Sequence, residues 1–243
     1  MLHKNTVEFE VFGDYAMFSN PIMRAGGEKC SYHIPTYEAL KGIASSIYKA
    51  PPFIWEIVEV RVMNPIITEE MGMRTLKYNA VDKNDLSYYT YLKNVRYQIR
   101  ARFVWNKNRP ETADDRNEGK YYNIIKRMIK KGGRMDVFLG TRDCLGYVKP
   151  CVFGEDTGAY DTEKQIDFGM MYHGITYADE AFSDDTYGNM TVSFWNAVMK
   201  YGVIKFKKPY EIPAENRKTI GKSEIKRFLK KGDKQYGTFS KSL

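Results

Sequence analysis

Val95-Arg-Tyr-Gln-Ile-Arg-Ala-Arg-Phe103 alternates without a break. Val95, Tyr97, Ile99, Ala101 and Phe103 share one parity, and Arg96, Gln98, Arg100 and Arg102 the other. A strand sends successive side chains to opposite faces, so this stretch is predicted to be a β-strand with one buried apolar face and one polar face. Its polar parity holds three arginines with no acid between them. An uncompensated arginine row is how a sheet meets a phosphate backbone, although any solvated sheet face can carry one.

Outward from that strand, strands and helices alternate. Val7 to Phe12 repeats the two-residue pattern, with Val7, Phe9 and Val11 inward and Glu8 and Glu10 outward. A glycine-bearing loop, Arg24-Ala-Gly-Gly-Glu-Lys29, follows. Pro35-Thr36 then opens a helix with Thr36 as N-cap and Leu40, Ile43, Ala44 and Ile47 as its apolar stripe. Pro51-Pro52 ends it, and Phe53 to Met63 is an apolar run expected to form a central strand. Residues 64–94 are long and polar, so a projecting hairpin is expected rather than a structureless loop. Glu111 to Lys131 begins with acids and ends with lysines before Gly132-Gly133, as one helix that complements its dipole and carries a glycine C-cap. Tyr121, Ile124, Ile125 and Met128 form its apolar stripe, with Arg116, Lys120, Arg127 and Lys131 as a ridge of cations along one edge. A strand near Asp136 to Gly140 completes the order β-α-β-β-α-β. That is an α+β, ferredoxin-like arrangement, also the frame of RNA-recognition modules. The frame alone does not fix a function.

After Gly154 the texture changes to alternating glycine, aromatic and acidic residues, followed by strand-like Met190 to Met199 and Gly202 to Phe206. The expected organisation is a first domain at 1–154 with its hairpin at 64–94, a small antiparallel β domain at 155–213, and a basic tail at 214–243. Charge supports the division. From Lys205 to Leu243 there are 12 basic and 4 acidic residues, leaving 26 of the 38 basic and 26 of the 30 acidic side chains for the neutral body. Such a tail can bind phosphates, including duplex DNA, by counterion release, or serve only as a solvated extension.

Composition excludes several classes. At 43% hydrophobic and 14% aromatic, the chain is too apolar for disorder. Mean hydropathy is −0.53, and no apolar run approaches the roughly 18 residues of a membrane helix. Glu8 and Glu10 stand where a signal peptide needs apolar residues. Cys30, Cys144 and Cys151 are an odd number with no C-x-x-C pair, so neither a disulfide framework nor a zinc site is expected, and a reducing cytoplasm is.

No phosphate-binding glycine fingerprint, H-E-x-x-H or G-x-S-x-G occurs. His3, His33 and His173 are far apart, and the paired carboxylates Asp114-Asp115 and Asp184-Asp185 read as capping and loop residues. What remains for catalysis is metal-free, cofactor-free chemistry built on Lys, Tyr and Arg. RNA cleavage by its own 2′-hydroxyl suits that set, because it needs a base, a cation for the phosphorane charge and a proton for the leaving 5′-oxygen.

Several segments then carry a resemblance. They are Phe9-Glu-Val-Phe-Gly-Asp-Tyr-Ala-Met-Phe18, Gly26-Gly-Glu-Lys29, Pro35-Thr-Tyr-Glu-Ala-Leu-Lys-Gly-Ile43, Arg61-Val-Met-Asn-Pro-Ile66 and Tyr89-Thr-Tyr-Leu92. Further along come Asp115-Arg-Asn-Glu-Gly-Lys120, Gly132-Gly-Arg134, Phe138-Leu-Gly-Thr-Arg142 and Gly146-Tyr-Val-Lys-Pro-Cys-Val-Phe-Gly154. In order and spacing, from about Val7 to Phe206, the chain resembles the type I-C (Dvulg) CRISPR-associated endoribonucleases, the d-subtype of the Cas-five family.

The resemblance implies metal-independent cleavage of precursor CRISPR RNA at the base of the repeat hairpin. It also implies retention on the guide 5′ handle, beside the backbone and large subunits of the type I-C surveillance complex. It places catalytic roles on Tyr48, at the end of the first helix, and Lys120, and it puts Tyr121 where the family has histidine. An unperturbed tyrosine has a pKa of about 10 against about 6.5 for histidine, so Tyr121 is a poorer base unless Lys120 depresses its pKa. Alternatively, Tyr121 packs in its helix's apolar stripe, leaving a subunit that binds RNA without cutting it. His33 is a remote substitute base. The residues expected to contact RNA are Arg24, Lys29, Arg96, Arg100, Arg102, Arg116, Arg127, Lys131, Arg134 and Arg142.

Overall fold

The computed structural model describes residues 5–24, 28–77, 80–184 and 186–225, with the side chains of Ile22, Arg24 and residues 76–85 outside that description. The Arg24 side chain, and the tail lysines and arginine of residues 226–243, therefore lie outside the described residues.

The alternating stretch belongs to the long strand β5, Ala80–Trp105. Its apolar parity is buried, with Ile99 and Ala101 wholly covered, because two further elements supply the same parity from either side. On one flank lies β1, Thr6–Ala16, antiparallel in the register Phe9↔Ile99 and Val7↔Ala101. On the other lies β3, Phe53–Val62, also antiparallel, with Ile57↔Ala101 and Trp55↔Phe103. β7, Leu145–Pro150, pairs with the outer edge of β1 and carries the short β6, Val137–Phe138. The hairpin expected at 64–94 is present: β4, Ile67–Lys77, runs antiparallel to the first half of β5. The short β2, Lys29–Cys30, follows helix α1, Pro21–Arg24, and pairs with β5 in parallel.

Helix α2, Tyr37–Ile47, begins where Thr36 Oγ1 accepts the Ala39 N–H at 3.2 Å, which satisfies one of the orphan donors of the first turn. Its stripe of Leu40, Ile43, Ala44 and Ile47 joins Phe9, Val11 and Ile99 in one core, each Leu, Ile, Val or Phe side chain among them contributing about 1.5–3 kcal/mol when covered. Helix α3 is shorter than its charge pattern suggests. Pro110–Asp115 is a separate 3-10 turn, and α3 covers only Glu118–Lys130, capped by Asn117, whose side chain accepts the Lys120 N–H at 2.9 Å. Arg116 therefore stands off the helix and leaves the expected ridge; it donates to the carbonyls of Asn106 and Arg109.

The chain after Gly154 builds β8 (Ile166–Thr176), β9 (Asn189–Lys200), β10 (Val203–Lys205) and β11 (Arg217–Lys222), all antiparallel to their partners. β10 pairs with β3, so the strand order β11-β9-β10-β3-β5-β1-β7-β6 is continuous. The β9–β10 turn has φ of 49° at Tyr201 and 74° at Gly202, both left-handed, which matches the right-handed twist of the strands it joins. The first part of the expected tail, Arg217–Lys222, is thus a strand paired with β9 rather than a loose extension. Among the described residues, no helix is long and apolar enough to cross a membrane.

The arginine row is not uncompensated. Arg96 holds Glu10 at 2.8 Å and Asp156 at 2.7 Å; Arg100 holds Glu8 at 2.8 Å and also Glu59; Arg102 holds Glu56 at 2.5 Å. The acids arrive from β1, β3 and the loop after β7, which a reading along one strand cannot see. That loop lies over the row, with the Phe153 ring 4.4 Å from the Arg100 guanidinium and Gly154 N–H donating to Gln98 Oε1 at 2.9 Å. Arg61, 7% exposed, clamps it: the guanidinium donates to Asp161 at 2.6 Å, to the carbonyls of Glu155 and Asp156 at 3.0 and 2.9 Å, and to Gln98. Arg61→Ala strands those acceptors and is expected to cost about 3 kcal/mol, read as a lowered urea midpoint. An unchanged midpoint would refute the clamp.

Candidate active site

The end of α2 and the start of α3 meet over Phe53. Pro51-Pro52 stops α2, and Tyr48 caps it in an extended conformation (φ −162°), its N–H donating to Ala44 O at 3.1 Å and its carbonyl accepting from Trp55 Nε1 at 2.8 Å. This leaves the half-buried Tyr48 ring against Phe53 and Tyr121, with ring centroids 6.3 Å apart in each case. At the other end of α3, Gly133 N–H reaches Met128 O at 2.9 Å and Gly132 N–H reaches Ile129 O at 3.1 Å, a Schellman closure. Both glycines have positive φ, 84° and 118°. The turn delivers Arg134, whose N–H bonds the carbonyls of Ser46 and Ile47 and whose guanidinium lies 6.0 Å from the Tyr48 ring.

Tyr48, Lys120 and Tyr121 are thus brought together. The Tyr121 ring packs against Phe53 (5.3 Å) and Trp105 (6.0 Å) and the residue is only 2% exposed. The Lys120 ammonium lies 5.1 Å from that ring. Sequence reasoning missed the group at their centre, Asp115. Its Oδ1 pairs with Lys120 Nζ and its Oδ2 accepts the Tyr121 hydroxyl at 2.5 Å. Both charged side chains stay half exposed, Lys120 at 46% and Asp115 at 50%. The available signal is its place at the head of Asp115-Arg-Asn-Glu-Gly-Lys120, although its pairing with Asp114 reads as a cap or loop.

Electrostatics follow from that triangle. Burial raises the Tyr121 pKa well above the usual tyrosine value, and the hydrogen bond to the Asp115 carboxylate raises it further. The downward push that Lys120 could exert does not offset these, its ammonium being paired with Asp115. The hydrogen bonds from Lys120 and then Tyr121 hold Asp115 below the usual carboxylate range. Tyr121 is a neutral phenol whose proton is already donated.

The other expected contacts are scattered. Arg127, Lys131, Arg134 and Arg142 are exposed. Lys29 sits 4.7 Å from the Tyr89 ring on the hairpin side, and Arg96, Arg100, Arg102 and Arg116 are held in the internal bonds described above. His33 is exposed in the loop before α2. His173 is buried in a stack with Tyr37 at 4.3 Å, its pKa pushed down to about 4 by burial. Among the described residues no group of three or more His, Cys, Asp or Glu side chains could hold a metal. Two cavities among the described residues, about 780 and 690 Å³, adjoin along Lys41, Ile54, Trp55, Asn106 and Glu180 and include none of Tyr48, Lys120 or Tyr121. Lys41 is held there between Glu38 and Glu180 at 3.2 and 2.9 Å, a mixed-charge setting unsuited to a polyanion.

The chain is similar to known proteins in sequence and in fold. Residues 6–207 match the Cas_Cas5d family model, described as CRISPR-associated protein (Cas_Cas5). A Mannheimia succiniciproducens protein named CRISPR pre-crRNA endoribonuclease Cas5d is 28% identical over 82% of this chain and 94% of its own. A protein of the same name from Thermus thermophilus is 27% identical over 72% and 75%. Among solved structures, one described as a CRISPR-associated protein has a TM-score of 0.71 at 37% identity, covering 85% of this chain and 94% of its own. A functionally uncharacterized Streptococcus mutans protein, SMU1763c, also has a TM-score of 0.71, at 35% identity over 88% and 97%.

Because the folded-state pKa of Tyr121 is raised, the phenol stabilises the fold fully below the unfolded value of about 10, and that contribution is lost as pH climbs from there toward the folded value. Urea unfolding followed from about pH 9 to 11 is expected to show declining stability, with a shallower decline, by up to one proton, in Tyr121→Phe. Identical slopes would contradict the burial and hydrogen bond assigned to Tyr121.

Proposed function

The chain belongs to the Cas5d family of CRISPR-associated proteins, and from that premise we propose that it cuts precursor CRISPR RNA without a metal, at the base of the repeat hairpin. The attacking group is the RNA's own 2′-hydroxyl, and the protein then stays on the guide 5′ handle in a type I-C surveillance complex. The observation that carries the reading is the junction of Tyr48 and Lys120, from two different helices, around one half-exposed patch. The names of the two curated relatives support the reaction class.

The frame we propose is a ferredoxin-like unit at 1–154, supported by the central order β3-β5-β1-β7 with helices α2 and α3 between its strands, and a smaller β unit built from β8, β9 and β10. Tyr48 orients the 2′-hydroxyl from the end of α2. Lys120 faces the scissile phosphate and stabilises the charge that grows on the phosphorane, the largest kind of contribution in such a site. Arg134, above Tyr48, and the exposed Arg127 on α3 and Lys131 at its C-terminal cap take the flanking phosphates as charge-assisted contacts.

A second reading has its own support: Tyr121 is buried and its proton is committed, so the protein serves as a guide-holding subunit that no longer cuts. One set of incubations separates the two. The first reading expects cleavage of repeat RNA in EDTA, none when the scissile ribose is 2′-deoxy, and a loss of about 10²–10⁴-fold in Lys120→Ala with hairpin binding retained. Abolition by EDTA would refute the metal-free step. Tight binding without product, with cleavage gained in Tyr121→His, is the outcome of the second reading.

A further inference from the structure

We propose that Asp115 is the general base of the cleavage step, accepting the proton of the attacking 2′-hydroxyl; this rests on the endoribonuclease reading above. Four observations converge on it. Tyr121 cannot take the proton: its hydroxyl already donates to Asp115, and its ring is sealed by Phe53 and Trp105. Asp115 is half exposed and is the carboxylate that touches both Lys120 and Tyr121. The Tyr121 hydroxyl occupies Oδ2 and so fixes the plane of the carboxylate, the orienting role that a third group plays in nucleophile–base pairs. Finally, the partner of Oδ1 is the same ammonium that the phosphate would recruit.

The last point gives the step its order. In the free protein, Lys120 keeps Asp115 ionised, and its lowered pKa agrees with that. When a phosphate draws the ammonium toward its oxygens, Oδ1 is uncovered beside the reacting phosphorus. The 2′-O–H bond then breaks, its proton passing to Oδ1 while the oxygen's electron pair forms the new bond to phosphorus. Lys120 faces the charge on the resulting phosphorane. As the P–O5′ bond breaks, its electrons stay on O5′, which takes a proton from the Lys120 ammonium. The products are a 2′,3′-cyclic phosphate and a 5′-hydroxyl. Asp115 returns its proton to the neutral lysine, and the ion pair re-forms. An acid this strong is a weak base by Brønsted behaviour, so the rate is expected to be modest.

The competing account is that Asp115 only restrains Lys120. Asp115→Asn distinguishes them on repeat RNA. As the base, Asp115 is required for turnover and not for affinity: kcat falls by about 10²–10³-fold, the Kd for the hairpin stays within about threefold, and Asp115→Glu recovers most of the rate. The deficit persists with a 5′-bridging phosphorothiolate, whose thiolate leaves without a proton. Tyr121→Phe, which removes only the orienting hydroxyl, loses about tenfold or less. If Asp115→Asn cuts as fast as the wild type, or faster with tighter binding because Lys120 is released, the assignment is overturned while the endoribonuclease reading stands. A deficit that vanishes on the phosphorothiolate also overturns it, since the carboxylate would then act through Lys120. Wild-type protein that binds the repeat and never cuts it sinks both.

Discussion

Both neighbours of β5 run antiparallel to it, and much of the architecture follows from that pairing. Two strands antiparallel to a common third are parallel to each other, so β1 and β3 cannot be joined by a tight turn and need a crossover. Helix α2 is that crossover, and the same argument applied to β5 and β7 calls for α3. Each helix has one apolar stripe, so both are buried in the same core. The end of one then comes to lie beside the start of the other, and Phe53, first residue of β3, fills the space between. The candidate site is where two crossovers meet.

Local features were legible in the sequence. The alternation of Val95 to Phe103, the Thr36 cap and the Pro51-Pro52 stop depend on residues close in the chain, and each has its expected form here. The charged partners of Arg96, Arg100 and Arg102 were not legible, because cross-strand register decides them: Glu8 faces Arg100 and Glu56 faces Arg102 across strands far apart in sequence. The start of α3 was misplaced for a subtler reason. Acids before a helix suit its dipole whether they lie inside the first turn or ahead of it, and only the Asn117 cap distinguishes the cases.

The site shows the same division. Nothing in the local pattern around Tyr48 or Lys120 separates a functional residue from a packed aromatic or a solvated lysine; the family resemblance singled them out. Sequence adjacency also misled about charge. Lys120 neighbours Tyr121 in the chain, yet its ammonium is engaged by Asp115, and the phenol's pKa is raised, first by burial and then by its hydrogen bond to Asp115. In a cluster of three ionisable groups, who pairs with whom matters more than who is next to whom.

The strap formed by Gly132, Gly133 and Arg134 binds the close of α3 to the close of α2 through peptide groups: Arg134 and Met135 N–H donate to the carbonyls of Ser46 and Ile47. Main-chain donors are common to almost every residue type, so this joint tolerates drift in the side chains around it. What it does not tolerate is loss of the left-handed geometry at its two glycines. The spacing between the helices is therefore stored in a few backbone torsions, and the surface above them is left free to vary.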